Sequence, residues 1–294
     1  MAFLALMRFP LRFANTILKP SGFMVSRRTQ GTDEDLCSYM ITARYAERLR
    51  EELAEVAHEF ICRHLAFLHG EPALSDVKKN VDEFFEINAR RPILLNEGGS
   101  RFHNCFWLFL VYRYVDPSLA VESGVWKGLS TWFFRQACPQ AELHAFDISF
   151  DALEYRDAQA QYHETDWSDV DIKASETGTS VCFFDDHQNQ PLRVRQAHER
   201  GFRILLFDDT VPAHKLFTVA WPPKPTIDMM MDDRVRSGDL IEWRVRGRNM
   251  SYRYTDEDCH GARGLIDTYA VFPDVASRTK YAQHSFLSLV TLKD

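Results

Sequence analysis

Four short apolar runs in this chain close on carboxylates: LAVES (Leu119 to Ser123), LHAFD (Leu143 to Asp147), SVCFFDD (Ser180 to Asp186) and RILLFDD (Arg203 to Asp209). A carboxylate can take up a proton, accept hydrogen bonds from hydroxyls, or supply a hard oxygen ligand to a divalent cation. One acid at such a place could be no more than the N-cap of the following helix. Four successive endings of this kind are harder to explain that way. Runs of this length alternating with helical stretches describe a parallel α/β sheet, and ligands of open sheets bind beyond the carboxyl ends of the strands. Glu122, Asp147, Asp185, Asp186, Asp208 and Asp209 are therefore expected to converge on one crevice.

The first run continues as VESGVWKGLST, Val121 to Thr131, a strand entering a tight turn and then a helix. Gly124 supplies a backbone conformation closed to side chains. Gly128 is expected to let a ligand approach the helix N-terminus, whose free N–H groups favour a carboxylate. The dinucleotide fingerprint G-x-G-x-x-G fails, with Trp126 and Leu129 in the second and third glycine positions, which disfavours NAD and FAD. Asp147, at the end of the next strand, stands where a carboxylate can accept both hydroxyls of a ribose. Adenosine without phosphates suits both observations.

The E-x-G-V-W-K-G turn resembles the cofactor loop of class I S-adenosylmethionine-dependent methyltransferases, especially the macrocin O-methyltransferase-like enzymes that methylate sugars, and more distantly the cephalosporin hydroxylase family. The likeness spans about Asn96 to His214. It implies a Rossmann-like α/β fold, a mostly parallel seven-stranded sheet with helices on both faces, preceded by an α-helical N-terminal extension. By this resemblance Glu122, Gly124, Gly128 and Ser130 border the methionine part of S-adenosylmethionine, Asp147 the ribose, and Asp166 and Trp167 of HETDWSD the adenine. The FFDDH and LLFDD segments are similar to catechol O-methyltransferase-type enzymes, in which one strand-end aspartate and a later acidic pair hold a metal. Carried over, Asp185, Asp208 and Asp209 would hold Mg2+ or another divalent cation. Gln188 departs from that pattern, standing where those enzymes carry a lysine.

Sugar-directed relatives place a histidine shortly after the acidic pair, which makes His214 the expected general base, with His187 and Asp186 as competitors. The reaction implied is direct methyl transfer from a sulfonium to the hydroxyl oxygen of a small molecule, a sugar, a nucleotide sugar or another polyhydroxylated metabolite, with acceptor oxygen, methyl carbon and sulfur held in line. Two alternatives stand beside it. One is a hydroxylase of the same fold, whose carboxylates and histidine would hold iron. The other is a non-catalytic, adenosine-binding relative, which the glutamine at position 188 suggests.

The elements that must position these residues follow from periodicity. Apolar residues at three- and four-residue spacing predict helices over Asp33 to His69, Ser75 to about Arg90 and Arg101 to Tyr114, with Asn96 to Ser100 as a Gly-rich loop between the last two. Residues 33–116 are expected to form a helical cap, and residues 117–294 the Rossmann-like domain. A Pro- and Arg-rich stretch around 215–260 is a candidate substrate lid, in which Arg234, Arg236, Arg244, Arg246 and Arg248 would receive an anionic acceptor, and SFLSLVTL near the C-terminus a closing strand. The alternative for the stretch is a solvated charged hairpin.

Composition bounds the partners. With 35 basic and 42 acidic residues the formal charge is −7, which gives no general attraction to nucleic acid. Cys37, Cys62, Cys105, Cys138, Cys182 and Cys259 are scattered without a C-x-x-C pair, as expected of reduced thiols in a cytoplasmic protein. Residues 1–32 are a basic, apolar arm without acids, too interrupted to span a bilayer. Peripheral contact with an anionic membrane, an import presequence, or a helix packed on its own domain are the readings it allows. A homo-oligomer is compatible with all of this.

Overall fold

The computed structural model describes residues 43–219, 221–279 and 286–294. The basic arm and the first ten residues of the helix expected from Asp33 lie outside the described residues. The long N-terminal helices are α1 (Ala43–His64), α2 (Leu74–Ala89) and α3 (Phe102–Val115). Leu49, Leu53 and Phe60 of α1 and Val77, Val81 and Phe84 of α2 are buried, as the spacing requires. α3 differs, because it is apolar on nearly all sides and Phe102 to Tyr112 are all buried. A helix of that kind belongs inside a core.

The strands are β1 (Leu119–Ser123), β2 (Glu142–Asp147), β3 (Gln161–Glu164), β4 (Ser180–Phe184), β5 (Ile204–Phe207), β6 (Leu240–Val245), β7 (Arg248–Arg253), β8 (Ile266–Val271) and β9 (Ser288–Leu292). Seven of them form one sheet in the order β3-β2-β1-β4-β5-β9-β8, with β9 antiparallel to both its neighbours. This is the Rossmann-like, mostly parallel architecture expected from the sequence. Two further helices, α4 (Leu129–Ala137) after β1 and α5 (Gln190–Glu199) after β4, complete the crossovers that position the site.

Alternation along the central strands sends side chains into two cores. Ala120, Val181, Phe183, Ile204 and Leu206 join α1 to α4 on one face. Leu119, Val121, Cys182, Phe184, Leu205 and Phe207 join Val194 and Ala197 of α5 on the other. The N-terminal helices thus form one of the two layers over the sheet and share its core. Among the described residues, β6 and β7 pair only with each other, through a turn in which Arg246 and Gly247 have φ of 47° and 77°, the backbone of a tight two-residue hairpin. Trp243 anchors this hairpin against Val211, Leu216 and Met229, beyond β5. Among the described residues, no helix is long and apolar enough to cross a membrane.

Candidate functional site

The strand order reverses between β1 and β4, so the crevice at their carboxyl ends is the expected ligand site. Both glycines of the turn after β1 make room for the chain itself. A Cβ on Gly124 (φ +94°) would lie 2.4 Å from the carbonyl oxygen of Asp185, and one on Gly128 (φ +91°) 2.3 Å from that of Tyr155. Gly128 therefore does not open the helix N-terminus in the way expected. The loop after β2 covers it, with Glu154 and Tyr155 donating N–H to Lys127 O at 3.0 Å each.

Asp147 is held by the same turn. Its Oδ2 accepts the N–H groups of Val125 and Trp126 at 3.0 Å each, and its Oδ1 accepts Ser149 N–H at 3.3 Å. A carboxylate has about four acceptor places. One place is left on Oδ1, enough for one ribose hydroxyl where two were expected. Glu122 is 3% exposed and accepts the Thr131 hydroxyl at 2.6 Å through Oε2, while its Oε1 has no partner. Burial pushes its pKa up to about 7; the nearby Ser130 and Thr131 hydroxyls oppose the shift, and the charge of Asp147 adds to it.

Beyond β3, Asp166 caps a short 3-10 turn and makes a two-pronged ion pair with Arg193 of α5, at 3.0 Å and 2.5 Å. Burial disfavours the charged carboxyl, but the bonds from Arg193 and Ser168 prevail and hold it below the usual range. Trp167 is 0% exposed, packed on Phe184 and Phe202, so it offers an adenine no free surface. Asp186 accepts the Ser123 hydroxyl at 2.7 Å, Arg193 Nε–H at 2.9 Å and Gln188 N–H at 3.1 Å. A carboxylate so engaged and paired with a buried guanidinium is a poor candidate for a base, which corrects that expectation.

The acids of β4 and β5 meet differently from the expected trio. Among the described residues, Asp185, His187 and Asp209 are the group that could hold a metal ion, each offering one ligand atom, all within 4.8 Å of one another. Asp208 faces elsewhere: its Oδ2 accepts Asn104 Nδ2–H of α3 at 2.6 Å and its Oδ1 accepts Asp209 N–H at 2.8 Å. His187 takes its place, with Nδ1 3.5 Å from Asp209 Oδ2. Burial and the neighbouring charges of Asp208, Asp209, Asp186 and Glu122 drive the Asp185 pKa far up; burial and Asp208 do the same for Asp209. His187 and Asp209 both have positive φ, 56° and 51°, uncommon for residues with side chains and a mark of imposed geometry.

His214 lies outside this group. It follows β5 in a 3-10 turn (Ala213–Thr218), on the side of Asp228 and Asp232. With Leu216, Phe217, Trp243 and Arg244 it lines a groove of about 570 Å³ between that turn and β6. Of the other arginines of this stretch, Arg234 pairs with Asp232 and Arg248 lies over Trp221.

No family model and no curated protein matches this sequence. Solved structures do. The chain is similar to one from Klebsiella pneumoniae described as a candidate O-methyltransferase, with 16% identity and a TM-score of 0.44 over 81% of this chain and 96% of that one. It is similar to the S-adenosylhomocysteine-bound methyltransferase PaMTH1 of Podospora anserina, at 15% identity and 0.40 over 92% and 100%. The O-methyltransferase TomG of Streptomyces achromogenes, in complex with S-adenosylmethionine, follows at 13% and 0.39 over 81% and 96%. The strand order that fixes the fold comes from the chain's own hydrogen-bond ladders.

The residues present fit an adenosyl cofactor and a cation. The unpartnered Glu122 Oε1 suits a cationic amine, since a buried acceptor without a donor is costly. Two crowded, half-buried carboxylates suit a divalent cation, and the imidazole beside them shifts the donor set from magnesium towards manganese, iron, cobalt or zinc. Asn104, Arg193, Ser123 and Asn96 were not anticipated. Asn104 had a signal, as a polar residue inside the apolar run FHNCFWLFLVYRYV. Asn96 Oδ1 and Ser100 Oγ, buried without partners in the loop that packs on Trp126, had only the glycines around them.

Proposed function

We propose that this chain is an S-adenosylmethionine-dependent O-methyltransferase, assisted by a divalent cation, acting on a hydroxyl of a sugar or other small polyhydroxylated metabolite. The observation that carries this reading is the pairing of two unmet demands at one crevice: the orphaned Glu122 Oε1 beside the β1 turn, and the crowded Asp185–His187–Asp209 group across from it. Glu122 receives the cofactor's amine, and Asp147 one ribose hydroxyl. Asp185, His187 and Asp209 hold the cation, which supplies a lowered hydroxyl pKa and a fixed position for the acceptor oxygen. The groove lined by His214, Phe217, Trp243 and Arg244 receives the body of the acceptor, and its volume lies within the range of small-molecule pockets. Asp166, held by Arg193 and Ser168, shapes the adenine edge through that ion pair.

A thermal-shift titration tests this. S-adenosylhomocysteine at 100 times its dissociation constant stabilises a fold by about 2.7 kcal/mol, and Mn2+ should add a separate increment that EDTA removes. Absence of any shift at millimolar S-adenosylhomocysteine would overturn the cofactor assignment. An unchanged melting curve with Mn2+, Mg2+, Zn2+ and Co2+ would overturn the cation assignment.

A further inference from the structure

We propose that Asp186 and Arg193 are a positioning pair: they fix the bend that brings Asp185 and His187 to one side of the chain, where both face Asp209. The proposal rests on reading those three residues as the cation's ligands. The chain leaves β4 at Phe184, and its next three residues are a ligand, a bracket and a ligand. His187 sits at φ +56°, an uncommon backbone state outside glycine, which costs free energy unless the surroundings hold it. The support comes from Asp186. Its Oδ1 accepts Gln188 N–H at 3.1 Å, closing an Asx turn across His187. Its Oδ2 is fixed from two directions, by Ser123 Oγ–H of β1 at 2.7 Å and by Arg193 Nε–H at 2.9 Å.

Arg193 is itself immobilised. Its side chain is 3% exposed, lies over the Trp167 and Phe184 rings, and its other two nitrogens grip Asp166. One planar guanidinium therefore ties the loop after β3, on the adenine side, to the loop after β4, on the cation side. A lysine, a point charge without the fork, cannot hold both carboxylates in this way. Residues that orient metal ligands commonly change metal affinity about 10- to 100-fold when altered.

The test is Mn2+ affinity of the full chain, read by electron paramagnetic resonance without cofactor, alongside S-adenosylhomocysteine affinity without metal. Melting curves report whether each variant is folded. Asp186→Asn should weaken Mn2+ binding about 10- to 100-fold, with a much smaller effect on S-adenosylhomocysteine. Arg193→Lys should weaken both ligands, because it loosens Asp166 as well. Ser123→Ala, which removes a single donor, should produce a smaller Mn2+ loss and keeps the test open if Asp186→Asn does not fold. Mn2+ binding within twofold of wild type in Asp186→Asn and Arg193→Lys, while Asp209→Asn has lost it, would overturn the positioning role and leave the ligand assignment standing. Wild-type protein that takes up no Mn2+, or Asp209→Asn that binds it normally, would overturn both.

Discussion

The two halves of the crevice treat their carboxylates in opposite ways. On the β1–β2 side, Asp147 is met by three backbone N–H groups and Glu122 by a threonine hydroxyl, so the chain supplies most of the donors itself. On the β4–β5 side, Asp185 and Asp209 crowd together, and both pKa values are driven far up by burial and by neighbouring negative charge. Like charges held so close together in a half-buried place favour the uptake of protons or of a cation. In the first half the chain supplies the donors for its acids, whereas in the second it brings two carboxylates and an imidazole together, at a cost to their ionised form. Unmet electrostatic demand, more than the number of acids, marks where a charged ligand is required.

The contrast breaks most sharply on the crowded side. Asp209→Asn should cost more in Mn2+ affinity than the roughly 10- to 100-fold typical of residues that only orient ligands, and should abolish methyl transfer in step. Undiminished turnover in this variant, or in EDTA, would return the β5 acids to a structural role. His187→Ala and His214→Ala separate the two histidines next. His187→Ala should weaken Mn2+ binding by about tenfold or more, while His214→Ala should leave it unchanged and raise KM for the acceptor. The opposite pattern would move the cation site towards the groove.

Gly124 joins the two halves, since its missing side chain is what lets Asp185 approach. Gly124→Ala should destabilise the fold by at least about 1–3 kcal/mol, lowering Tm by roughly 2–4 °C per kcal/mol in a chain of this size, and should weaken Mn2+ binding as well. Gly70→Ala is the comparison, with φ +84° but nothing within 4 Å of the added Cβ. An equal loss of Mn2+ binding in both variants would refute the close-approach explanation.

Smaller effects sharpen the cradle side. Asp147→Asn should weaken S-adenosylhomocysteine by roughly tenfold, the scale of one hydrogen bond to a charged group. Equal affinity would remove the ribose assignment. Glu122 supplies a pH signature. Its folded pKa of about 7 lies above the unfolded value of about 4.3. The folded state therefore binds the extra proton, and stability from this group is complete below about pH 4.3 and lost as pH rises to about 7. Glu122→Gln should flatten Tm in that window relative to wild type. It should also remove the rise in S-adenosylhomocysteine affinity expected as pH passes 7 and the carboxylate ionises. Parallel Tm profiles for the two proteins would count against the shift.

Local pattern carried much of the architecture. The apolar runs at 119–123 and 143–147 fall on β1 and β2, and the helical spacing around Val77 to Phe84 falls on α2, because strand alternation and helical periodicity are written in neighbouring residues. β8 was not legible, since Ile266 to Val271 lies at the sheet edge with only part of its surface buried and carries no continuous apolar run. The expected ligand trio was legible only in composition. Sequence placed six acids at strand ends, but whether Asp208 or His187 would face Asp185 depended on which way each side chain left its loop.

By itself, then, the sequence determined the strand–turn–helix at Val121 to Thr131, the acids that end four strands, and the layered α/β architecture, all properties of short segments. Tertiary structure decided the rest. It placed α3 inside the core, where Asn104 meets Asp208, and brought α5 round so that Arg193 meets Asp166 and Asp186. It also carried His214 away to the hairpin groove. These pairs stand 104, 27 and 7 residues apart in the chain. Their meeting depends on how whole layers pack, which no local spacing specifies.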